Sequence, residues 1–391
     1  MHICHVITRL IIGGAQENTV LSCEGLRELG HRVTLISGPT RGPEGSLLER
    51  VRAGGYALIE IPELIRSINP WYDVRAGREL TRLFEDLRPD VVHTHSSKAG
   101  ILGRFAATRA QVPRILHTVH GMSFNRTQSW PVRFIYAALE RRAALHCDHI
   151  VNVADAMGRQ LLAAGVGRAD RISTIRSGME VDHFHPDAGE RDSVRAEWRV
   201  PSDAVVVGTI ARLFLRKGYE QLLPIMARAA AHDPRLHFVW VGDGSARPRY
   251  EAELQRLGLS NRTTLVGLVP PSAIPRLLRG FDILAHASQW EGLPRAVVQA
   301  LLTAVPAVAF DIDGTPEVVH DGRTGRLIRL GDEAAFADAI CSLSADAALR
   351  ASLGAAGREL CLREFDWREM VSRLDDLYRS IPPRTRPDHR R

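Results

Sequence analysis

Lysine is almost absent from this sequence of 391 residues. Among 51 basic residues, only Lys98 and Lys217 are lysines, and all the others are arginines. The lysine ammonium is a compact charge, whereas the arginine guanidinium is planar and delocalised. In a chain that otherwise uses arginine, these two positions are therefore candidates for contact with an anion. The alternative is that two surface lysines have survived without any such role.

Long apolar runs and paired cysteines are also missing. No apolar run reaches the roughly 18 residues that a membrane span needs, and the first residues lack the basic leader of a secretory signal. The cysteines show no CxxC or CxxxC spacing, so the sequence predicts neither a disulfide framework nor a zinc cluster. They are Cys4, Cys23, Cys147, Cys341 and Cys361. We therefore expect a cytoplasmic protein with reduced thiols and no membrane-spanning segment.

No motif for binding nucleic acid is present either. The formal net charge is +6, but the basic residues are spread along the chain. This distribution favours anionic substrates or a membrane surface over nucleic acid. The amphipathic segment from Trp130 to His146 carries Arg133, Arg141 and Arg142. It is either a peripheral contact with the anionic inner face of a membrane or an ordinary surface helix with solvated arginines.

Strand-like and helix-like segments alternate along the chain. This alternation predicts α/β architecture with parallel sheets covered by helices, and the length allows two such domains, each with its own core. The predicted limits are 1–182 for the N-terminal domain, 183–203 for a hinge without strong periodicity and 204–360 for the C-terminal domain. An amphipathic terminal helix is predicted over 361–380, and a disordered Pro- and Arg-rich tail over 381–391.

The stretch from Ser288 to Glu317 contains the most informative pattern. A buried strand is predicted over Phe281–Ala287, and a helix should begin at Pro294, whose missing N–H costs nothing in a first turn. In strand, loop and helix units of this kind, ligands lie beyond the carboxyl ends of the strands. The ligand-binding segments should therefore be Glu291–Arg295 and Asp313–Thr315.

Glu291 gives this edge a definite chemistry. Free N–H groups at a helix N-terminus bind phosphate, and a carboxylate accepts hydrogen bonds from hydroxyls. Phosphate together with hydroxyls suggests a nucleotide sugar. The alternative is that Glu291 only caps the helix.

Other predicted strand exits carry groups that suit an anion. Gly13 and Gly14 follow the first strand and would let phosphates approach the backbone, although the dinucleotide fingerprint G-x-G-x-x-G is absent. Arg212 and Lys217 lie between a strand and a helix of the second domain, where a cation pair would hold a diphosphate; two solvated cations are the alternative. Lys98, in the first turn of a helix, is either solvated or placed for an anionic ligand.

Four histidines lie on or just after two neighbouring predicted strands: His93, His95, His117 and His120. We do not expect them to form a metal cluster, because alternate strand residues should point to opposite faces, so that the four side chains cannot all converge. His120, where the strand ends, is expected to be the one that faces a cleft.

From Gly13 to the terminal helix, the sequence resembles the family-4 retaining glycosyltransferases. Their donor-binding signature is a Glu, seven residues and a second Glu, before a small-residue helix and a Pro-bounded strand. Here Glu291 takes the first position and Gln299 the second. The resemblance implies the GT-B fold, with two Rossmann-like doubly wound domains facing a central cleft. The first would be the acceptor side, the second would bind the donor, and the terminal helix would cross back to the first.

The resemblance also implies roles for individual residues. Arg212 and Lys217 would neutralise the donor diphosphate with help from the Gly14 amide, the nucleotide base would lie near Gly267 and Leu268, and position 299 would hold the ribose. His120 would orient or polarise the reacting centre. The implied catalytic residues are His120 and Glu291. The implied donor-binding residues are Gly13, Gly14, Arg212, Lys217, Gly267, Leu268, Gly292, Leu293, Arg295 and Gln299, with Lys98 on the acceptor side.

The implied activity is retaining transfer of a sugar from a nucleotide-diphosphate donor to a hydroxyl of a glycan, lipid-linked or small-molecule acceptor, in polysaccharide or glycolipid synthesis. Fixed cations and amides would stabilise the departing diphosphate without a metal or other cofactor. Two features depart from the family pattern: Gln299, and Ser177–Glu180 where an Asn-Gly-hydrophobic-Asp loop is typical. A sugar-nucleotide epimerase or hydrolase of this fold and a non-enzymatic sugar-nucleotide-binding subunit remain alternatives.

Overall fold

The computed structural model describes residues 1–40, 45–125, 128–215 and 217–384. They form two compact units. The first consists of Met1–Gly178 together with the chain from Trp367 onward, and the second of Met179–Asp366. The main chain therefore enters the second unit after Gly178 and leaves it after Asp366. Among the helices in these ranges, none combines the length and apolar character needed to cross a membrane.

The first unit is built on a seven-stranded parallel sheet. Its strands are β1 (His2–Ile7), β2 (Arg32–Ser37), β3 (Ala57–Glu60), β4 (Val91–His95), β5 (Ile115–Val119), β6 (His149–Asn152) and β7 (Ile172–Thr174). They pair in the order β3-β2-β1-β4-β5-β6-β7. The order reverses between β1 and β4, and ligands of open parallel sheets bind at the carboxyl ends of the strands at such a point.

Helices cover both faces of this sheet, which the alternating side chains of β1 make clear. Ile3 and Ile7 belong to a buried cluster with side chains of α1 and α14, whereas Cys4 and Val6 belong to a second cluster with side chains of α3 and α4. The helices of this unit are α1 (Gly14–Glu28), α2 (Leu48–Ala53), α3 (Pro70–Leu87), α4 (Ser97–Arg109), α5 (Trp130–Ala144), α6 (Asp155–Ala163) and α14 (Trp367–Ser380).

The second unit is built on a six-stranded parallel sheet. Its strands are β8 (Val205–Ile210), β9 (Leu236–Val241), β10 (Thr263–Gly267), β11 (Ile283–His286), β12 (Ala307–Asp311) and β13 (Gly325–Arg329). They pair in the order β10-β9-β8-β11-β12-β13, so the order reverses between β8 and β11. The loops after these two strands carry Arg212, Lys217 and Glu291, which places all three at the switch point of the sheet.

The helices of the second unit complete its core. They are α7 (Ala188–Glu197), α8 (Tyr219–His232), α9 (Arg247–Arg256), α10 (Ile274–Arg279), α11 (Arg295–Leu302), α12 (Glu333–Ala345) and α13 (Ala347–Glu364). Val207 and Ile283 of the sheet share a buried cluster with Leu222 of α8 and Phe336 of α12. As the sequence predicted, Pro294 immediately precedes the first helical residue of α11.

The stretch predicted as a hinge contains a helix. The side chain of Asp187 caps α7 by accepting a hydrogen bond from the N–H of Glu190. Arg195 of α7 is buried and forms an ion pair with Asp282 just before β11, and Arg191 holds the other oxygen of that carboxylate at 2.6 Å. The sequence did not predict this helix, because its periodicity is weak and the carboxylate that stabilises it lies about 90 residues away in sequence.

The predicted terminal helix is broken near its start. Residues 361–364 end α13, and α14 begins only at Trp367. At the break, the carbonyl of Phe365 accepts a hydrogen bond from the N–H of Met179, 2.7 Å long. Of the predicted disordered tail, residues 385–391 lie outside the described residues. Arg384 is described, and its guanidinium binds the carboxylate of Asp148 at 2.7 Å.

Candidate active site

The carboxylate of Glu291 lies in the loop that follows β11. The N–H of Glu291 donates to Asp313 Oδ2, 2.9 Å away, which ties this loop to the loop after β12. Glu291 Oε1 lies 3.6 Å from Lys217 Nζ and 3.6 Å from His286 Nε2. Two loops and the end of a strand thus bring together a carboxylate, an ammonium and an imidazole.

These neighbours keep Glu291 ionised. Burial by itself would raise the pKa of the carboxyl group, but the charge of Lys217 and the nearby imidazole of His286 outweigh it and lower the pKa to about 2. The group is therefore a permanent hydrogen-bond acceptor at neutral pH. Such a carboxylate can bind hydroxyls of a sugar, while the adjacent ammonium attracts an anion.

Gly218 allows the Lys217 loop to lie against the end of β11. Its φ angle is 92°, in the left-handed region, and a Cβ atom on it would come within 2.1 Å of the Ala287 carbonyl oxygen. A side chain would therefore force the two loops apart. Lys217 Nζ also lies 4.9 Å from the ring centroid of Trp290, within the range of a cation–π contact.

Arg212, the other predicted diphosphate ligand, lies in the same β8–α8 loop. Its side chain is exposed, and its guanidinium lies 5.3 Å from the ring centroid of Phe214. The backbone turns tightly here, since the N–H of Phe214 donates to the carbonyl of Arg212 and the N–H of Lys217 to that of Phe214. The two cations thus belong to one short loop, as predicted.

The remaining predicted donor residues of the second unit all lie at the carboxyl ends of its strands or in the loops and helices that follow them. Gly292 and Leu293 are buried ahead of α11, Arg295 is the first residue of that helix, and Gln299 is half-buried in its second turn. Gly267 ends β10 with a φ angle of 84°, and its carbonyl accepts a hydrogen bond from Gly242. Leu268 beyond it is 48% exposed.

In the first unit, Gly13 and Gly14 form the N-terminus of α1, as the sequence predicted. Lys98 is not solvated, since its ammonium lies 2.5 Å from Asp73 Oδ1 and also donates to the carbonyl of Ser67. Its placement for an anionic ligand stays a prediction. An acceptor bound at Lys98 would have to share this cation with Asp73.

The four histidines do not all converge, as the sequence predicted, but three of them lie together. His93 and His95 are two residues apart and therefore share a face of β4. His95 lies between His5 of β1 and His120, with nitrogen-to-nitrogen distances of 2.9 and 3.0 Å. Only His117 points to the other face, where it hydrogen-bonds to Thr94. His5 pairs with His93 across β1 and β4, and this register is not readable from the local sequence.

Three of these histidines also have the spacing of metal ligands. Nitrogens of His5, His93 and His95 all lie within 4.8 Å of one another, a group that the sequence analysis did not consider. However, His93 uses both ring nitrogens, for Tyr378 Oη at 2.5 Å and Thr118 Oγ1 at 2.7 Å. A metal ion would have to break these bonds and the bond between His5 and His95. The residues present therefore fit a hydrogen-bonded network better than a metal site.

The fold and these loops define a class of enzyme. The structure superposes on that of Anabaena HepE, solved in complex with UDP and glucose, with a TM-score of 0.84 and 20% identity over 97% of this chain and 100% of that one. Two parallel-sheet α/β domains of this kind are the GT-B fold of glycosyltransferases. The fold class predicted from the sequence is confirmed.

Family models identify the chain more closely. Residues 12–183 match the model described as Glycosyltransferase Family 4, and residues 190–360 match the model described as Glycosyl transferases group 1. The chain belongs to the family-4 glycosyltransferases. The resemblance noted in the sequence is therefore confirmed, and the protein is a glycosyltransferase.

Two relatives illustrate the range of activities in this family. The Escherichia coli UDP-Gal:alpha-D-GlcNAc-diphosphoundecaprenol alpha-1,3-galactosyltransferase is 28% identical over 96% of this chain and 96% of its own length. The alpha-maltose-1-phosphate synthase of Mycolicibacterium smegmatis is 28% identical over 78% of this chain and 84% of its own. One name specifies a diphosphoundecaprenol acceptor and the other the synthesis of alpha-maltose 1-phosphate, so the family alone does not determine the acceptor.

Proposed function

We propose that this glycosyltransferase moves a sugar, with retention of configuration, from a nucleotide-diphosphate donor to a hydroxyl of the acceptor. The observation that carries the proposal is the ionised carboxylate of Glu291 beside Lys217 at the switch point of the second sheet. This pairing offers an acceptor for sugar hydroxyls and a cation for a diphosphate within one pair of loops. Three crystal structures of Anabaena HepE, which has the same fold, contain UDP with glucose, UDP, or UDP-glucose, which supports a nucleotide sugar as donor.

The donor-binding roles follow the chemistry of each group. Arg212 and Lys217 bind the diphosphate, and the amides of Gly292, Leu293 and Arg295 bind phosphate or sugar oxygens. Glu291 accepts hydrogen bonds from the sugar hydroxyls. Gln299 bridges the ribose diol, and the nucleotide base lies near Gly267 and Leu268.

The reaction breaks the bond between the anomeric carbon of the sugar and the diphosphate oxygen. The acceptor oxygen forms the new bond on the same face, and its proton passes to the departing phosphate oxygen. Arg212 and Lys217 stabilise the negative charge that develops on the leaving group, and because they are already in place, little reorganisation is required. His120 orients or polarises the reacting centre and is not a general base. No metal takes part in this mechanism.

A lipid-linked acceptor suits the surface of the first unit. Helix α5 exposes apolar side chains beside exposed arginines. They include Trp130 at 71%, Phe134 at 53% and Ile135 at 56% exposure. Apolar side chains flanked by cations are typical of a helix that lies in the surface of an anionic membrane. The E. coli relative, whose name specifies a diphosphoundecaprenol acceptor, supports the same class and a role in polysaccharide or glycolipid synthesis.

The proposal is tested by incubating the protein with a panel of nucleotide sugars. Binding is scored by thermal shift, and turnover by release of the nucleoside diphosphate with and without lipid-linked acceptors. We expect one donor to raise the melting temperature and to be hydrolysed slowly, and its sugar to be transferred with retention. Glu291→Gln should lose most of this turnover. Binding of a donor without any transfer, whatever the acceptor, would favour the binding-subunit alternative.

A further inference from the structure

An ion pair of the second unit borders the glycine that ends β10. Asp243 lies in the loop between β9 and α9, and Arg247 is the first residue of α9. Arg247 Nη1 donates to Asp243 Oδ2 at 3.1 Å, and Arg247 Nε donates to Glu251 Oε1 at 2.8 Å. A Cβ atom on Gly267 would lie 3.7 Å from Arg247 Nη1 and 4.0 Å from Asp243 Oδ2. Asp243 and Arg247, here called the α9 pair, therefore lie beside the place proposed for the nucleotide base.

The loop that carries Asp243 is tied to the loop that carries Arg212. The N–H of Leu213 donates to the carbonyl of Asp243 at 3.0 Å. A Cβ atom on Gly244 would come within 2.4 Å of the Leu213 carbonyl oxygen, so a side chain there would force the two loops apart. The α9 pair is therefore fixed in position relative to the loop proposed to bind the diphosphate.

The sheet order places the α9 pair at the end of the donor opposite the sugar. In the order β10-β9-β8-β11, the loops after β9 and β10 lie on one side of the β8 loop, and the loop after β11 lies on the other. Sugar and nucleoside are attached to opposite ends of a diphosphate. With the sugar at Glu291 and the diphosphate at Arg212 and Lys217, as proposed above, the base reaches the α9 pair.

The α9 pair has hydrogen-bonding groups left for a ligand. Arg247 Nη2 forms no hydrogen bond with any residue in the described ranges. The side chain of Arg247 is 32% exposed and that of Asp243 is 40% exposed, so a ligand can reach both. A guanidinium has only donors and a carboxylate only acceptors. Because two carboxylates hold the guanidinium, the pair presents a donor beside an acceptor in a set orientation.

We propose that Asp243 and Arg247 recognise the nucleotide base and select one with a carbonyl group beside a ring N–H, as in uracil and guanine. This inference rests on the nucleotide-sugar donor proposed above. Arg247 Nη2 donates to the carbonyl oxygen of the base, and the carboxylate of Asp243 accepts a hydrogen bond from the ring N–H. Adenine and cytosine carry an amino group beside a bare ring nitrogen at this edge. In the same place, they would set donor against donor and acceptor against acceptor.

Nucleoside diphosphates test this selection without any sugar or acceptor. Binding of UDP, GDP, ADP and CDP to the full chain is measured by isothermal titration calorimetry. We expect UDP or GDP to bind about ten- to a hundredfold more tightly than ADP and CDP, because both hydrogen bonds have a charged partner. Tighter binding of UDP than of GDP would identify uracil, and the reverse would identify guanine. ADP or CDP bound as tightly as the better of UDP and GDP would overturn the proposal.

Substitutions assign the selection to the α9 pair. Arg247→Ala should reduce the preference to less than about threefold, mainly through weaker binding of UDP or GDP. Asp243→Asn, which keeps the size of the side chain, replaces an acceptor oxygen by an N–H donor and should shift the preference towards ADP and CDP. Arg256→Ala is the matched control and should leave the preference unchanged, since it removes another arginine of α9 that pairs with a glutamate, Glu253.

The possible results separate this inference from the proposed function. If none of the four nucleotides binds, the proposed donor is wrong and this inference falls with it. If Arg212→Ala weakens binding of all four while folded Arg247→Ala keeps the wild-type preference, the diphosphate assignment stands and the α9 pair does not select the base. Should Arg247→Ala fail to fold, Asp243→Asn decides, and an unchanged preference in that variant would overturn the proposal.

Discussion

At the scale of single residues, Lys217 shows why one lysine persists in a chain of arginines. Its Nζ lies 3.6 Å from Glu291 Oε1 and 4.9 Å from the Trp290 ring centroid, and its side chain is 21% exposed. A compact ammonium on a thin stem can enter this space, whereas a planar guanidinium requires a wider one. Lys98 is likewise enclosed, by Asp73. Both lysines therefore lie where a small cation faces a carboxylate.

The first prediction concerns the cation pair of the β8–α8 loop. Arg212→Ala and Lys217→Ala should each lower kcat/KM about ten- to a hundredfold, because a charge-assisted contact is worth about 1.5 to 3 kcal/mol. Steady-state kinetics measure the effect, and circular dichroism checks the fold. Arg228→Ala is the matched control, since this arginine of α8 is exposed and pairs with Asp338, 3.6 Å away, outside the candidate site. Wild-type turnover in both loop variants would refute the diphosphate assignment.

The second prediction concerns Gln299, where the family signature has Glu. A glutamine offers one acceptor oxygen and two N–H donors, so it can bridge a ribose diol without charge. No described residue hydrogen-bonds to its side chain, which leaves the amide available to a ligand. Because a neutral hydrogen bond is worth about 1 kcal/mol, Gln299→Ala should raise the donor KM about fivefold with little change in kcat.

Gln299→Glu provides the comparison, since it restores the family residue and should remain active. Isothermal titration with the donor measures both variants. Unaltered donor affinity in Gln299→Ala would show that this residue is only a polar group of α11. Together with a wild type that transfers no sugar from any donor, that result would favour a binding subunit.

The sequence predicted which loops carry the candidate residues, but not what each side chain touches. Glu291 and Lys217 follow apolar strands, and local patterns of that kind are readable. His286 and Lys217 flank the same oxygen of Glu291 because β8 and β11 pair in the sheet. Pairing between segments so far apart in the chain cannot be read from a local pattern. That His95 lies between His5 and His120 likewise depends on how β4 pairs with β1 and β5, which no local pattern reveals.

At the scale of elements, α14 is part of the core of the first unit, although it lies at the far end of the sequence. Its residues Met370, Val371, Leu374 and Tyr378 are buried in the cluster that contains Ile3 and Leu35. Tyr378 Oη also lies 2.5 Å from His93 Nδ1. The helix therefore supports the sheet and also positions His93.

The third prediction tests this packing. Leu374→Ala should lower the free energy of unfolding by about 2 to 5 kcal/mol, since it removes a buried side chain that its neighbours cannot replace. Denaturant titration measures the change. Asp376→Ala, at an exposed position of the same helix, should change it by less than about 0.5 kcal/mol. Equal effects of the two substitutions would contradict the assignment of α14 to the core.

The fourth prediction concerns α5. The protein should sediment with vesicles containing phosphatidylglycerol and much less with vesicles of phosphatidylcholine alone, because the helix presents both arginines and apolar side chains. Replacing Trp130 and Phe134 by serine should weaken binding more than tenfold, since burial of each side chain contributes about 1.5 to 3 kcal/mol. Leu162→Ser is the control, as Leu162 is an exposed apolar residue of α6. Equal binding to both vesicles would argue against a membrane contact.

The elements themselves were largely predictable. Each sheet strand named in the sequence analysis is present, because buried parallel strands read as short apolar runs between Gly, Pro and polar residues. α7 was missed because the ion pair of Arg195 with Asp282 stabilises it, and no local pattern reveals that pair. The break before α14 was missed because an amphipathic pattern continues through it, while the hydrogen bond of Phe365 to Met179 comes from a distant segment.

At the scale of the whole molecule, the fifth prediction is that transfer does not require a divalent metal. Magnesium and manganese prefer carboxylate oxygens in proteins. Among the described residues near the donor loops, Glu291 is held by Lys217 and His286, and Asp313 accepts the N–H of Glu291. The charge of the departing diphosphate is instead met by Arg212, Lys217 and backbone amides, which need no added ion.

The initial rate should therefore be unchanged after treatment with EDTA and gel filtration, and addition of magnesium should not raise it. Metal analysis of the purified protein serves as the control for the histidines, since His5, His93 and His95 are the one group in the described chain with ligand spacing. Loss of activity on chelation with recovery by magnesium or manganese would show that a carboxylate of these loops binds the metal together with the donor.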